Sequence, residues 1–345
     1  MPRTRATELL ADGALGAWLT GAGIPLAGRP RLTLIAGGRS NLTYRMTDDA
    51  GHEYVLRRPP TGGVLPSAHD VGREFRIISA LAGTRVPVPR ALGLCTDDAV
   101  IGAPFYVMNL VPGAVVAGDE DGARYPVEAR GRASRDLIDV LAEIHLVDVD
   151  EVGLGELSRR ESYCERQLRR WLRQFRVSTA STTRSVPLIE ELHDRLAACV
   201  PPQRHTGLVH GDFRPGNLLL SPQGRINAVL DWELATLGDT LADVGWLVAT
   251  WREPGEVELL ESPAAQPGFA DRGELLVMYA ARTGRDVSDI PWYQAFALWR
   301  LACISEGIYA RYSGGVMGDD GFDAQAEGRH VIQLAEAARD AFARL

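Results

Sequence analysis

The sequence predicts an α+β fold in two lobes, and three features carry that expectation. Most of its β-like runs lie before about residue 110, and helical patterning takes over from about residue 126. A polar cluster framed by short apolar runs, Leu208 to Trp246, interrupts the helices. A chain of 345 residues can fill two cores. The expected division is an N-terminal lobe with a leading helix over 1–110 and a helical C-terminal lobe over 111–345.

Residues 8–21 place Leu9, Leu10, Leu15, Trp18 and Leu19 at helical spacing and end on Gly21. Three β-like runs follow, at 32–36, 42–47 and 53–57; Asp48-Asp49-Ala50-Gly51 joins the last two as a hairpin turn. Gly37-Gly38-Arg39-Ser40-Asn41, between the first two, reads either as a turn or as a backbone that approaches phosphate closely. Residues 67–82 form a helix opening on Ser67, with Glu74 near its middle. The run Phe105 to Leu110, broken by Val111-Pro112-Gly113, is a strand leading into a hinge. Residues 114–125 read as an exposed loop, and helices are expected at 129–148, 157–176, 186–199, 240–251, 269–283, 291–312 and from about 322. The Ser/Thr-rich residues 178–187 suggest a mobile loop. In 157–176, apolar residues share one face while Arg159, Arg166, Arg170 and Arg173 line the other, as a solvated face or as a platform for an anionic ligand. His145 reads as a packed histidine rather than a ligand, and Trp292, Trp299 and Tyr309 as core.

Composition narrows the function. Hydrophobic content of 46% and charged content of 24% are those of a soluble globular protein. No run reaches the roughly 18 apolar residues of a membrane span and the first residues lack a signal peptide's apolar stretch, so no membrane partner and a cytoplasmic location are expected. Cys95, Cys164, Cys199 and Cys303 lie far apart, as reduced thiols rather than a zinc site. All 37 basic residues are arginine. A Walker A loop and Schiff-base chemistry both need lysine and are excluded. A net charge of −8 with scattered arginines argues against a nucleic-acid partner.

The chemistry concentrates at His210-Gly211-Asp212-Phe213-Arg214-Pro215-Gly216-Asn217, with Asp231 fourteen residues further on behind Ala228-Val229-Leu230. Phosphoryl transfer needs a carboxylate near the acceptor hydroxyl, oxygen ligands for Mg²⁺ and a cation for the migrating charge. Asp212 supplies the carboxylate, Asn217 and Asp231 the metal ligands, and Arg214 the cation. The order and spacing match the kinase pattern H-R-D-x-x-x-x-N followed by a metal-binding Asp.

HGDFRPGN followed by LDWELATLGDTLADVGW resembles the aminoglycoside phosphotransferase and choline kinase-like superfamily, most closely its branch resembling the kinase domain of acyl-CoA dehydrogenase family members 10 and 11. GGRSNLTYR, EYVLRRPP, the helix with Glu74 and FYVMNLVPG follow in the family's order. The resemblance implies a bilobal protein-kinase-like fold, with an N-terminal antiparallel sheet, one αC-type helix and a larger helical lobe carrying the catalytic loop and acceptor site. It implies ATP, or another nucleoside triphosphate, with Mg²⁺, met by Gly38, Ser40, Asn41, Arg57, Glu74, Asn109 and Leu110, and a small-molecule hydroxyl as acceptor. It also implies that Asp243 braces the catalytic loop.

Two positions depart from the kinase pattern. Arg57 stands where kinases carry the lysine paired with the helix glutamate, and the glycine turn differs from the protein-kinase loop. The expected activity is transfer of the γ-phosphoryl group to a hydroxyl, with a hydroxyacyl-CoA as the favoured acceptor. An antibiotic phosphotransferase of the aminoglycoside type and a non-catalytic nucleotide-binding pseudokinase remain alternatives.

Overall fold

The computed structural model describes residues 13–36, 41–60, 70–182, 184–315 and 321–345. It separates into two compact units: an N-terminal unit of residues 2–113 with 227–233, and a C-terminal unit of 114–226 with 234–345.

The N-terminal unit is built on five antiparallel strands, β1 (Arg31–Ala36), β2 (Leu42–Thr47), β3 (Glu53–Arg58), β4 (Ala91–Cys95) and β5 (Phe105–Asn109), in the order β1-β2-β3-β5-β4. The β2–β3 turn is fixed by Asp48, whose carboxylate accepts hydrogen bonds from the amides of Ala50 and His52, while Gly51 takes a φ of 84°. Strand alternation then sorts the side chains. Tyr44, Met46, Leu56, Phe105 and Val107 share a core with Leu15 and Leu19 of α1 (Ala14–Gly21), where Trp18 meets Phe105 edge-on at 4.7 Å. Arg57 and Tyr106, cross-strand partners on β3 and β5, alternate with Leu56, Phe105 and Val107 and so fall on the opposite face. The second helix, α2 (Val71–Leu81), lies by β4 and β5 and brings Glu74 to that face.

The C-terminal unit contains α3 (Asp119–Arg124), α4 (Val127–Leu146), α5 (Tyr163–Thr179), α6 (Pro187–Ala198), β6 (Thr206–Val209), β7 (Leu218–Leu220) and then β8 (Ile226–Val229), whose last three residues count with the other unit. β9 (Thr236–Asp239), α7 (Leu241–Thr250), α8 (Arg272–Thr283), α9 (Ile290–Ser313) and α10 (Ala324–Phe342) complete it. Strands β6 and β9 pair antiparallel. Helix α9 is its axis, packed by α10, α7, α5 and α6. Trp292 and Phe296 stack at 5.4 Å, and the indole N–H groups of Trp292 and Trp299 donate to carbonyls of α6. Gly245 lets α7 meet α9: a Cβ there would lie 2.4 Å from Tyr293 Cβ. Among the described residues no helix is long and apolar enough to cross a membrane.

Four expectations need correction. Helix α2 begins at Val71 because Asp70 caps it, accepting from Arg73 N–H at 3.0 Å; Ser67 lies outside the described residues. The segment expected as loop holds α3, with three acids in its first turn, and Asp121 accepts from Ala117 N–H. Helix α5 begins at Tyr163 rather than 157. Ser158 Oγ accepts from Leu237 N–H at 2.9 Å, holding the preceding chain against β9, and Gln203 Oε1 accepts the Tyr163 N–H. Ser178 and Thr179 continue that helix instead of opening a loop.

Candidate active site

In the C-terminal unit, strand β6 delivers the chain into His210 to Asn217, and this loop is held by buried charge. Asp243, in the first turn of α7, accepts the amide of His210 at 2.6 Å and that of Gly211 at 2.8 Å, and bonds His145 Nε2 at 3.3 Å. Burial raises the Asp243 carboxyl, but the His145 hydrogen bond and charge and the Gly211 amide outweigh it and leave it below its ordinary value. Burial pushes His145 the other way, below its ordinary value, against the raising effect of Asp243, and its Nδ1 lies within hydrogen-bond distance of Tyr279 OH at 2.7 Å. His145 is thus the packed histidine expected of it. Gly211 takes a φ of 85°, and a Cβ there would sit 3.0 Å from both Cβ and O of Leu234.

The carbonyl side of the same residue is held from α9. Arg300, buried and 4.3 Å over the Trp246 ring, donates through Nη2 to Gly211 O at 2.7 Å. Downstream, a short 3₁₀ turn of Pro215–Asn217 points Asn217 back at Asp212: its Nδ2 donates to Asp212 O and to Asp212 Oδ2, each at 2.8 Å. Arg214 Nε lies 3.4 Å from Asp212 Oδ1. The proposed base, its positioning amide and the candidate cation therefore form one local cluster. Among the described residues no donor reaches Asn217 Oδ1, while its nitrogen fixes Asp212.

The N-terminal unit carries the second constellation. Arg57 Nη2 donates to Asp231 Oδ1 at 2.8 Å, and its Nε lies 3.1 Å from Glu74 Oε2. Asp231 is held at a φ of 64°, a conformation that costs a non-glycine residue roughly 1–3 kcal/mol. Glu74 is fully buried, and Asn41 Nδ2 reaches the same oxygen at 3.5 Å. Burial is the largest influence on Glu74 and, helped by the nearby negative charges of Asp231 and Glu233, pushes it up to about 7 against the pull of Arg57. Arg57 stays charged: burial lowers its pKa, but Glu74, Tyr106 and Asp231 raise it further.

The remaining candidates divide. Gly38 and Ser40 lie outside the described residues. Asn41 is buried with an Oδ1 that has no partner, an orphan acceptor beside Glu74. Asn109 spends its side chain on the main chain, accepting from Arg90 N–H and donating to Leu110 O at 3.3 Å, and its own amide donates to Arg90 O at 3.1 Å. Arg300, and Tyr106, whose hydroxyl donates to Glu74, went unnoticed in the sequence. Tyr106 was within reach of strand alternation, as Arg57's cross-strand partner; for Arg300 no sequence signal existed.

Helix α5 carries Arg169, Arg170 and Arg173 on its exposed face, and among the described residues no carboxylate lies within ion-pair distance of them. A cavity of about 470 Å³ opens in the same unit between α7, α9, α10 and the 252–260 loop.

Fold and constellations together define a kinase-like phosphotransferase. The model of the phosphotransferase enzyme family matches residues 31–277, and the chain belongs to that family. A Ralstonia eutropha protein named as a candidate aminoglycoside phosphotransferase is 32% identical, with a TM-score of 0.80 over 96% of this chain and 98% of its own. The macrolide 2′-phosphotransferase MphH of Brachybacterium faecium shares the fold at 21% identity and a TM-score of 0.59, over 94% of this chain and 98% of its own. Mouse acyl-CoA dehydrogenase family member 10 is 36% identical over 97% of this chain, and chicken family member 11 is 34% identical over 83%. The chain spans 31% and 37% of the lengths of those two relatives. The resemblance read from the motifs is therefore borne out, as is the kinase-like fold.

Proposed function

We propose that the chain transfers the γ-phosphoryl group of ATP, or another nucleoside triphosphate, to the hydroxyl of a hydroxyacyl-CoA. The observation that carries the reading is the catalytic loop: Asp212 is fixed through its carboxylate by Asn217, and its peptide neighbour is clamped by Asp243 and Arg300. Asp212 accepts the acceptor's proton, and Arg214 balances charge on the transferring group. Asn217 and Asp231 offer an amide oxygen and a carboxylate, a hard-oxygen set that suits Mg²⁺, which when bound neutralises phosphate charge. Arg57 and Glu74 take the phosphate-orienting role, and Asn41, with its orphan oxygen, stands beside them.

Support for the acceptor comes from the names of the acyl-CoA dehydrogenase relatives and from the unpaired arginine face of α5, which favours an anion. The charged residues lining the cavity are three arginines and three acids, a balance that gives a polycationic aminoglycoside no net attraction. One observation favours the pseudokinase reading: Arg57 occupies an oxygen of Asp231. Phosphoryl transfer to a panel of hydroxyacyl-CoAs and aminoglycosides decides. Transfer to hydroxyacyl-CoA, lost by about 10²-fold or more in Asp212→Ala, is the expected result. Turnover confined to the aminoglycosides defeats the acceptor assignment, and nucleotide binding without turnover of any acceptor establishes the pseudokinase.

A further inference from the structure

Arg57 spans two carboxylates that the fold brings from different elements, Glu74 on α2 and Asp231 just past β8. The two contacts are unequal. Nη2 donates an aligned hydrogen bond to Asp231 Oδ1 at 2.8 Å, whereas Nε, 3.1 Å from Glu74 Oε2, makes no aligned hydrogen bond. The guanidinium is therefore directed at Asp231, with Glu74 behind it as a buried counter-charge. Of the three side chains Asp231 is the one a ligand can approach: it is 25% exposed, against 10% for Arg57 and 1% for Glu74. Its backbone, at a φ of 64°, fixes where that carboxylate stands. The carboxylate best placed for a metal thus already carries a protein cation on one of its oxygens.

We infer that Arg57 is a built-in counter-cation for Asp231: it withholds that carboxylate from free divalent metal and releases it when a nucleoside triphosphate offers the guanidinium other oxygens. The inference rests on the reading of Asp231 as a metal ligand and Arg57 as a phosphate-orienting group. It adds what the pair selects, metal together with nucleotide rather than metal alone. A divalent ion and a guanidinium compete for the same oxygen and repel each other at contact distance. The competitor cannot be titrated away, because a guanidinium keeps its proton and the surrounding acids raise its pKa further. Mg²⁺ is poorly suited to displace it, since it sheds water reluctantly and demands near-octahedral ligands. Phosphate oxygens change the balance: the planar fork binds them in pairs, and their charge draws the metal as well. Nε stays with Glu74 while Nη2 changes partner, so release of Asp231 asks for no movement of β3. Metal and nucleotide then each strengthen the other's binding by the same factor.

The test is Mn²⁺ binding to the full chain, followed by electron paramagnetic resonance of the free ion; Mn²⁺ takes the same oxygen ligands as Mg²⁺. Without nucleotide the wild type should bind it weakly. The double variant Arg57→Met, Glu74→Gln removes the cation together with its buried counter-charge and leaves Asp231 as the carboxylate under test. It should bind Mn²⁺ about tenfold or more tightly than the wild type, and adding Asp231→Asn should abolish the gain. With a non-hydrolysable ATP analogue present, the wild type should hold Mn²⁺ about tenfold or more tightly than the analogue does by itself. That arm needs no variant, so it stands whatever the substitutions do to folding. Wild-type binding as tight as that of the double variant, a gain that survives Asp231→Asn, or no added affinity with the analogue overturns the inference. No arm contains an acceptor: Arg57-dependent exclusion of Mn²⁺ in a chain that phosphorylates nothing upholds the counter-cation and removes only the transfer reading.

Discussion

The catalytic loop and the Arg57 cluster are both buried polar constructions, but they are stabilised differently. In the loop, charged side chains act on the main chain: Asp243 takes two amides and Arg300 takes a carbonyl, so each charge meets a peptide dipole that would otherwise be unpaired. In the cluster, one guanidinium faces the carboxylates of Glu74 and Asp231, and burial, helped by the surplus negative charge, lifts Glu74 towards neutrality. The first arrangement sets a backbone shape. The second is a set of mutually facing charges whose balance shifts when Glu74 takes up a proton.

Breaking the loop should have the largest effect. Asp243→Ala leaves two buried amides and His145 without their acceptor; a loss of about 3–5 kcal/mol is expected in denaturant unfolding, together with loss of activity. Arg300→Met keeps the bulk over Trp246 but frees the Gly211 carbonyl. It should lower kcat about tenfold or more with little change in nucleotide KM, because it disturbs the proposed base and not the proposed nucleotide contacts. An unchanged kcat would show that Asp243 alone sets the loop.

The cluster should answer to pH instead. Glu74 has a folded pKa of about 7, above its ordinary 4.5, so it takes up a proton as pH falls through 7. The neutral acid no longer competes for Arg57, which then binds Asp231 alone. Activity should therefore fall on the acid side with an apparent pKa near 7, and Glu74→Gln should flatten that limb. Linkage has the opposite sign for folding: Glu74 contributes stability that is complete below about 4.5 and is lost as pH rises through 7, so the glutamine variant gains on the wild type at pH 8. Smallest is the effect of Arg170→Gln or Arg173→Gln on the exposed face of α5. A two- to threefold rise in KM for a CoA acceptor, vanishing at high salt, is about what one screened surface charge supplies.

The sequence alone determined whatever depends on neighbours along the chain. Asp212 and Asn217 touch because they stand five positions apart across one 3₁₀ turn. The Asp48 hairpin and the face shared by Arg57 and Tyr106 follow from turn chemistry and strand alternation. Tertiary structure decided what hangs on distant partners. Arg300 reaches a carbonyl 89 residues away, and Gln203 starts a helix 40 residues before it. A motif encodes spacing along the backbone, whereas these contacts depend on which helix faces pack together. Packing follows the burial of the whole apolar surface, which no local window of sequence records.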